Sequence, residues 1–510
     1  MMKKIIYPFI SVAILLCYSC NDFLDVMPDN RTVLDNPGTV QELIVSAYPN
    51  MQYFHVCEVM SDNAGERIVA GGHTREILND EMYRWLEGYQ SGTSQDTPYR
   101  IWSGCYGSIA AANQALEVIS EVANPQKYTA QKGEALVCRA LNHFMLVNIF
   151  SEHYDPAIAG TQMGIPYNTE AEKVAVKYYK RHTVAEVYEL IEKDLTEGIA
   201  LIDDNIYDVP KYHFTKAAAH AFAARYYLYV GDWDKVLEHA DAVLGTNVSS
   251  KLLPVDGPVF KAPVSSSDYE IRYRRVDQPD ILLLVGCTSS WGRDHGSTSL
   301  RYGMTTEHNV SLFTSRNITG SSSLHYRRWS SSASGAYLLH KYYDLFKLVA
   351  PGASTGNSYT IGAWFTIEDV LFMRAEAYVM QGKIEEALSD VNVFLSRRVN
   401  LGTTGKLPID LAAVKSFYDD KPNYPELAPF YGSSINADQM SMLKCIVDWR
   451  RIEFMQEGLR WFDIKRFHLE VVHTFPDTGG EPITLTANDP RRALQIPMEA
   501  QAYGIEPNPR

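Results

Sequence analysis

Residues 224–244 read ARYYLYVGDWDKVLEHADAVL, and residues 375–395 read AEAYVMQGKIEEALSDVNVFL. Aligned without gaps, Tyr227 matches Tyr378, Gly231 matches Gly382 and Leu237 matches Leu388. Each stretch carries small and apolar residues at helical spacing, then one glycine, then a second helical pattern. A glycine at that break accepts the backbone angles of a tight turn between two helices. Each copy therefore predicts helix, turn, helix. Upstream of the first glycine, Ala217, Ala218, Ala219, Ala221, Ala223 and Ala224 keep the helix surface low, so a neighbour can approach closely.

The pattern resembles the tetratricopeptide repeat, in which alanines seat the helix pair and a tyrosine fills the groove. The copies lie 151 positions apart, far beyond a tandem period of about 34. A large insertion must interrupt the superhelix. Further helical periodicity runs through 102–119, 132–150, 184–202 and 216–230. The expected fold is mainly α: tetratricopeptide-like helix pairs forming a superhelical scaffold, with a loop-rich insertion containing short β elements. The insertion spans 248–360. Its β-type runs, ILLLVG (281–286) and YLLHKYY (337–343), alternate with loops of serine, glycine and aromatic residues. This divides the chain into a leader (1–19), a tether (20–45), an N-terminal helical region (46–247), the insertion as candidate ligand-binding module (248–360) and a C-terminal region (361–510).

The leader begins with Lys3 and Lys4, followed by apolar residues from Ile5 to Leu16. About a dozen residues cannot cross a hydrocarbon core, which takes roughly 20 in a helix. A basic start, a short apolar run and a small residue before the cut describe a secretion signal. In LLCYSC (15–20), Ser19 precedes Cys20, and the stretch resembles a lipoprotein cleavage box. Cys20 is then the first mature residue and carries the acyl chains, two or more of which hold a protein stably at a membrane. The alternative is an ordinary cleaved signal that releases a soluble protein.

A net charge of −14 argues against nucleic acid, whose phosphates demand a basic face. No later apolar run approaches a membrane span. Beyond Cys17 and Cys20 remain Cys57, Cys105, Cys138, Cys287 and Cys445. They are odd in number and widely spaced, so they read as small buried apolar residues rather than a disulfide framework or zinc site. No phosphate-binding glycine loop, HExxH or GxSxG occurs, and no cofactor, metal or catalytic residue is expected. Glu58, Asp62 and Glu66 fall at i, i+4, i+8 and read as a solvated acidic helix face. Asp203, Asp204 and Asp208 lack the spacing of a calcium loop. The 32 tyrosines, 19 phenylalanines and 8 tryptophans can fill a large core; the functional alternative is that some rings line a surface that stacks flat ligands.

Residues 446–467 read IVDWRRIEFMQEGLRWFDIKRF. On a helix, Ile452, Met455, Leu459 and Phe462 form an apolar stripe. Arg450 and Glu453, Glu457 and Arg460, and Asp463 and Arg466 are each three apart and can meet. This segment resembles the C-terminal signature of the SusD/RagB family, the surface lipoproteins of nutrient-uptake systems in Bacteroidetes. It is carried by Arg450, Glu453–Phe454, Glu457–Gly458, Arg460, Asp463 and Arg466–Phe467; Trp449 stands where the family usually has glutamate. CNDFLDVMPDN (20–30), the helix of Trp102, Tyr106, Ile109 and Asn113, GEALVCRA (133–140) with Phe144, RHTVAEVYELIEKDL (181–195) and LQIPMEA (494–500) extend the likeness. One departure is a turn, Gly164–Ile165–Pro166, delayed behind the segment 150–163.

The resemblance implies a non-enzymatic protein of the outer membrane, facing the cell exterior and held by its lipid alone. It would capture oligosaccharides and cap a TonB-dependent SusC-like channel. Peptide capture, or a structural lid that holds cargo weakly, are alternatives of the same architecture. Candidate stacking rings lie in polar, loop-like surroundings: Trp85, Tyr89, Trp291, Tyr302, Tyr326 and Trp329. Arg293, Asp294 and Arg328 are candidate rim partners for sugar hydroxyls.

Overall fold

A computed structural model of the protein describes residues 34–67, 76–90, 95–174, 177–295, 300–331, 334–419 and 424–510. Cys20 and the leader lie outside the described residues. The N-terminal half forms α1 (Pro37–Val45), α2 (Phe54–Met60), α3 (Glu76–Tyr83), α4 (Pro98–Glu121), α5 (Thr129–Phe150), α6 (Val184–Leu201), α7 (Lys216–Val230) and α8 (Trp233–Leu244). After α9 (Ser266–Tyr273) and the strands come α10 (Ile367–Met380), α11 (Ile384–Arg398), α12 (Leu411–Tyr418), α13 (Ala437–Glu453) and α14 (Leu459–Arg466).

Local chemistry sets the helix ends. The Thr97 side chain accepts from Arg100 N, with Pro98 in the first turn of α4. Thr183 and Glu186 close a capping box on α6, which satisfies two otherwise orphaned N–H groups. Gly231 (φ 79°) ends α7, and Gly382 (φ 74°) turns α10 into α11. Both expected helix pairs therefore form. They also stack directly, because α8 packs on α10, so the superhelix closes across the insertion. Ion pairs, buried except at Asp241, fasten the junction. Arg225 meets Asp369 at 2.7 Å, and Arg374 bridges Asp241 (2.8 Å) and Asp390 (2.7 Å).

The insertion supplies most of the strands. β2 (Ile281–Thr288) pairs antiparallel with β7 (Gly356–Thr366), whose far edge takes β6 (Leu345–Leu348). β4 (Arg328–Ser331) and β5 (Ala336–Leu339) form a hairpin, and β1 (Gly65–Glu66) pairs with β3 (Tyr302–Gly303). The ILLLVG run lies in β2; Leu282, Leu283 and Val285 join the main core, while Ile281 and Leu284 pack with Ala363. Arg225 of α7 stacks on Phe365 of β7 at 4.1 Å, which ties sheet to scaffold.

The stretch 446–467 is two helices rather than one. Between α13 and α14 the backbone turns left-handed at Gln456 (φ 68°) and Gly458 (φ 71°). Only Asp463 and Arg466 of the three expected i, i+3 pairs meet, at 3.2 Å. Arg450 instead bridges Asp369 (2.9 Å) and Asp463 (3.2 Å), and Glu453 accepts from Arg398 (2.9 Å). Glu457 accepts from Lys341 (2.6 Å), and Arg466 forks onto Glu376 with two bonds of 2.9 Å. These pairs are buried and join α13 and α14 to segments far away in the chain.

The acidic trio departs from the expected solvated face, because α2 stops at Met60. Glu58 is buried and accepts from the backbone N–H of Gln456 (2.7 Å) and Gly458 (3.0 Å). Burial pushes its pKa up to about 7 against these bonds. Asp62 receives two bonds from Arg460, at 2.8 and 2.9 Å. Burial alone would raise its pKa, but the guanidinium groups of Arg451 and Arg460 outweigh that and hold it well below the usual carboxylate range. Glu66 accepts from Asp477 N (2.7 Å) and Thr478 N (3.2 Å). The N-terminal carboxylates thus clasp the C-terminal region.

Candidate functional site

Four of the six candidate rings fold inward. Trp85 is buried and donates from Nε1 to Met60 O at 2.9 Å. It begins a pile of rings: Trp85 on His473 (4.4 Å), His473 on Tyr83 (3.9 Å), and Tyr83 on Tyr302 (3.9 Å). Trp291 is buried on His55, with Nε1 bonded to Gln456 O at 2.9 Å. Tyr326 is buried and donates to Glu453. Asp294, a candidate rim group, is buried and accepts from Ser290 at 2.6 Å. Those ring faces are occupied by protein, so the expectation that they meet a ligand is corrected.

Tyr89 is half-buried, its hydroxyl donating to Ile496 O (3.3 Å) and accepting from Gln501 (2.8 Å). Arg293 pairs with Asp344 at 3.0 Å near the surface, and Arg328 lies over Phe313 at 5.2 Å. Trp329, 41% exposed on β4, is the candidate ring with an open face. The proposed set does not converge on one surface. The reason is physical: tyrosine and tryptophan in loops bury their rings and satisfy the polar tip with a carbonyl or carboxylate.

Rings converge elsewhere. A cleft of about 480 Å³ opens between α4, the segment 166–179 and the C-terminal residues 499–505. Tyr99, Trp102, Tyr106, Tyr179 and Tyr503 line it, with Asn113, Asn168, Glu170, Glu172, Lys177 and Glu499 among the polar groups. Tyr99, Trp102 and Tyr106 recur at helical spacing and so project from one face of α4. Gly107 lies among them, and a Cβ built there would meet nothing within 4 Å. Tyr503 (54% exposed) and Val174 (60% exposed) add apolar surface at the mouth.

The wall opposite α4 is the segment that follows the delayed turn. The Tyr106 hydroxyl donates to Pro166 O at 2.8 Å, and Asn113 donates to Asn168 O (3.1 Å) and Glu170 O (3.2 Å). Asn113 is itself aimed by Arg139 (2.9 Å), which forks onto Asp194 at 2.6 and 2.7 Å. His143 lies flat on Tyr167 at 3.7 Å. Its Nδ1 donates to Arg139 O (2.9 Å), and its Nε2 accepts from Asn168 N (3.0 Å). That fixes the neutral tautomer, and burial pushes the imidazole pKa well below its usual value. At the rim, Lys177 pairs with Glu170 (3.1 Å) and the Tyr179 hydroxyl donates to Glu172 (2.6 Å).

The cleft therefore offers flat apolar faces beside a firm polar wall. Such a surface suits a ligand with both C–H faces and hydroxyl groups. Sequence reasoning named Trp102, Tyr106 and Asn113 only as helix markers, and passed over Tyr99, Tyr179 and Tyr503. The available signal was the recurrence of large polar-tipped rings around a glycine on one helix face. No helix among the described residues is long and apolar enough to cross a membrane.

Comparison with known proteins places this geometry in context. Residues 22–228 match a family model described as starch-binding, associating with outer membrane, and residues 293–504 match that of the SusD family. A SusD-like protein of Formosa agariphila is 22% identical over 513 residues, covering 90% of each chain. A SusD superfamily structure from Bacteroides thetaiotaomicron superposes with a TM-score of 0.63 at 18% identity, covering 93% of this chain and all of that one. A laminarin-binding SusD-like protein superposes with a TM-score of 0.56 at 18% identity, covering 93% and 99%. With a family match at each end, and a helical scaffold whose signature helices lock the two ends together, the chain belongs to the SusD family of carbohydrate-binding, outer-membrane-associated proteins.

Proposed function

We propose that the protein is a cell-surface lipoprotein that captures oligosaccharides, with the α4 cleft as its principal binding surface and Trp329 as a separate exposed contact. The observation that carries this reading is the convergence of four partly exposed tyrosines, Tyr99, Tyr106, Tyr179 and Tyr503, backed by the buried Trp102, and a hydrogen-bonded polar wall on one cleft. A sugar lays its C–H face on a ring while its hydroxyls bond to the rim. One ring face removes about 80–100 Å² from water, about 2 kcal/mol at most. Micromolar affinity requires about 8 kcal/mol, so several rings and hydrogen bonds must act together, as a cleft permits and a single exposed tryptophan does not.

Calorimetry against a glycan panel tests the site. Gly107→Phe fills the cleft floor from an open helix position and should weaken binding at least 10-fold without lowering the melting temperature. Trp329→Ala should weaken it less. Undiminished affinity in Gly107→Phe removes the cleft as the site, and binding of a peptide pool in place of every glycan reassigns the cargo. Family membership supports two further steps: acylation at Cys20, and delivery of cargo to a TonB-dependent SusC-like channel in the outer membrane. Cys20→Ala should shift the protein from the detergent to the aqueous phase on phase partitioning. Co-purification of the channel with the wild-type protein tests the partnership.

A further inference from the structure

His55, Asp96 and Asp294 come from three distant parts of the chain: α2, the residue before the Thr97 cap of α4, and the short helical turn 291–294. Their exposures are 0%, 1% and 4%. One ligating atom from each lies within 4.8 Å of the other two. The donor set is one imidazole nitrogen and two carboxylate oxygens. Ser290 sits between the acids. Its hydroxyl is 3.1 Å from Asp96 Oδ2 and 2.6 Å from Asp294 Oδ2, and its backbone N–H donates to Asp96 Oδ2 at 3.1 Å. A hydroxyl has one proton, so it serves one carboxylate at a time. Two carboxylates buried this close together favour a cation held between them.

The surroundings hold these donors in place. Trp291 lies on the His55 ring at 5.1 Å with the planes 29° apart. Trp291 is pinned by Gln456 O (2.9 Å) and by Ser289 Oγ, which accepts from its backbone N–H at 3.1 Å. The Thr360 hydroxyl accepts from Gly292 N (2.9 Å) and donates to Ser289 O (3.1 Å), which ties the turn to β7. Outer contacts of this kind orient metal ligands.

We propose that His55, Asp96 and Asp294 bind one divalent transition-metal ion, of the zinc or manganese class. Imidazole with carboxylates suits these ions, whereas calcium and magnesium prefer oxygen alone. Its role is structural: it staples α2, the start of α4 and the insertion, and so fixes the end of the helix from which Tyr99 and Trp102 project.

The test uses the full mature chain, stripped with a chelator and then dialysed against Zn²⁺ or Mn²⁺. Elemental analysis should find one equivalent retained, and the melting temperature should rise by several degrees over the stripped protein. Asp294→Asn and Asp96→Asn should each lose both effects. Co²⁺ loaded into the wild-type protein should give visible absorption bands that disappear in His55→Gln, a readout of ligation independent of stability. Failure of the wild-type chain to retain any ion overturns the proposal. Retention unchanged in both asparagine variants overturns it equally.

Discussion

At His143 the hydrogen bonds decide where the proton sits. Nδ1 faces a carbonyl and Nε2 faces a backbone N–H, so a second proton on Nε2 would break the bond that positions Asn168 in the cleft wall. With its pKa held well below the usual value by burial, this histidine stays neutral in the folded chain while the unfolded chain protonates it near pH 6.5. The unfolded state then binds more protons as pH falls, and stability declines below about pH 6.5. Urea unfolding at pH 5 and pH 7 should show the wild-type protein losing up to about 2 kcal/mol more than His143→Gln over that interval; equal losses would mean that the ring titrates normally. This role was not legible in the sequence, where His143 was one of 14 scattered histidines. The buried rings failed for a related reason. Trp85, Trp291, Tyr302 and Tyr326 stand in polar stretches, but each has a partner for its N–H or O–H from a remote segment, and no local pattern reports that.

The elements were far more legible, because helical periodicity and glycine turns act locally. Both tetratricopeptide-like pairs and the ILLLVG run fold as read, whereas YLLHKYY is strand only over 337–339 before the chain turns. Contacts between elements were less so. A Cβ at Gly198 of α6 would lie 2.7 Å from Val137 Cγ2 and 2.9 Å from Gly133 O, and one at Gly133 of α5 would lie 2.9 Å from Gly198 O. The two helices cross glycine on glycine. Gly198→Ala improves helix propensity by about 1 kcal/mol but forces the backbones apart, at about 1–3 kcal/mol. Net destabilisation by denaturant titration is the expected outcome, and a stabilised variant would show that the crossing has slack. The signature stretch was misread as one helix for want of weight on Gly458. Its left-handed turn, with Gln456 beside it, splits the stripe into α13 and α14 and redirects every charge but the Asp463–Arg466 pair.

Across the whole molecule, the redirected charges join regions that the sequence presents as separate. Arg466 and Glu376 are both fully buried, 90 residues apart. Arg466→Ala should cost about 3–5 kcal/mol, because it strands a buried carboxylate, whereas Arg466→Met with Glu376→Leu should recover much of that loss. Equal stability of the two variants would show that the charge itself carries little. The clasp of Glu58 and Asp62 by residues 451–460 also bears on how the chain is made. Glu58 and Asp62 are made early, yet the groups that bond their carboxylates are synthesised some 400 residues later. The nascent chain cannot close its body early. Its clasp stays open until about the last eighth of the sequence has been made, and a chain truncated before Arg451 lacks the groups that bond Glu58 and Asp62.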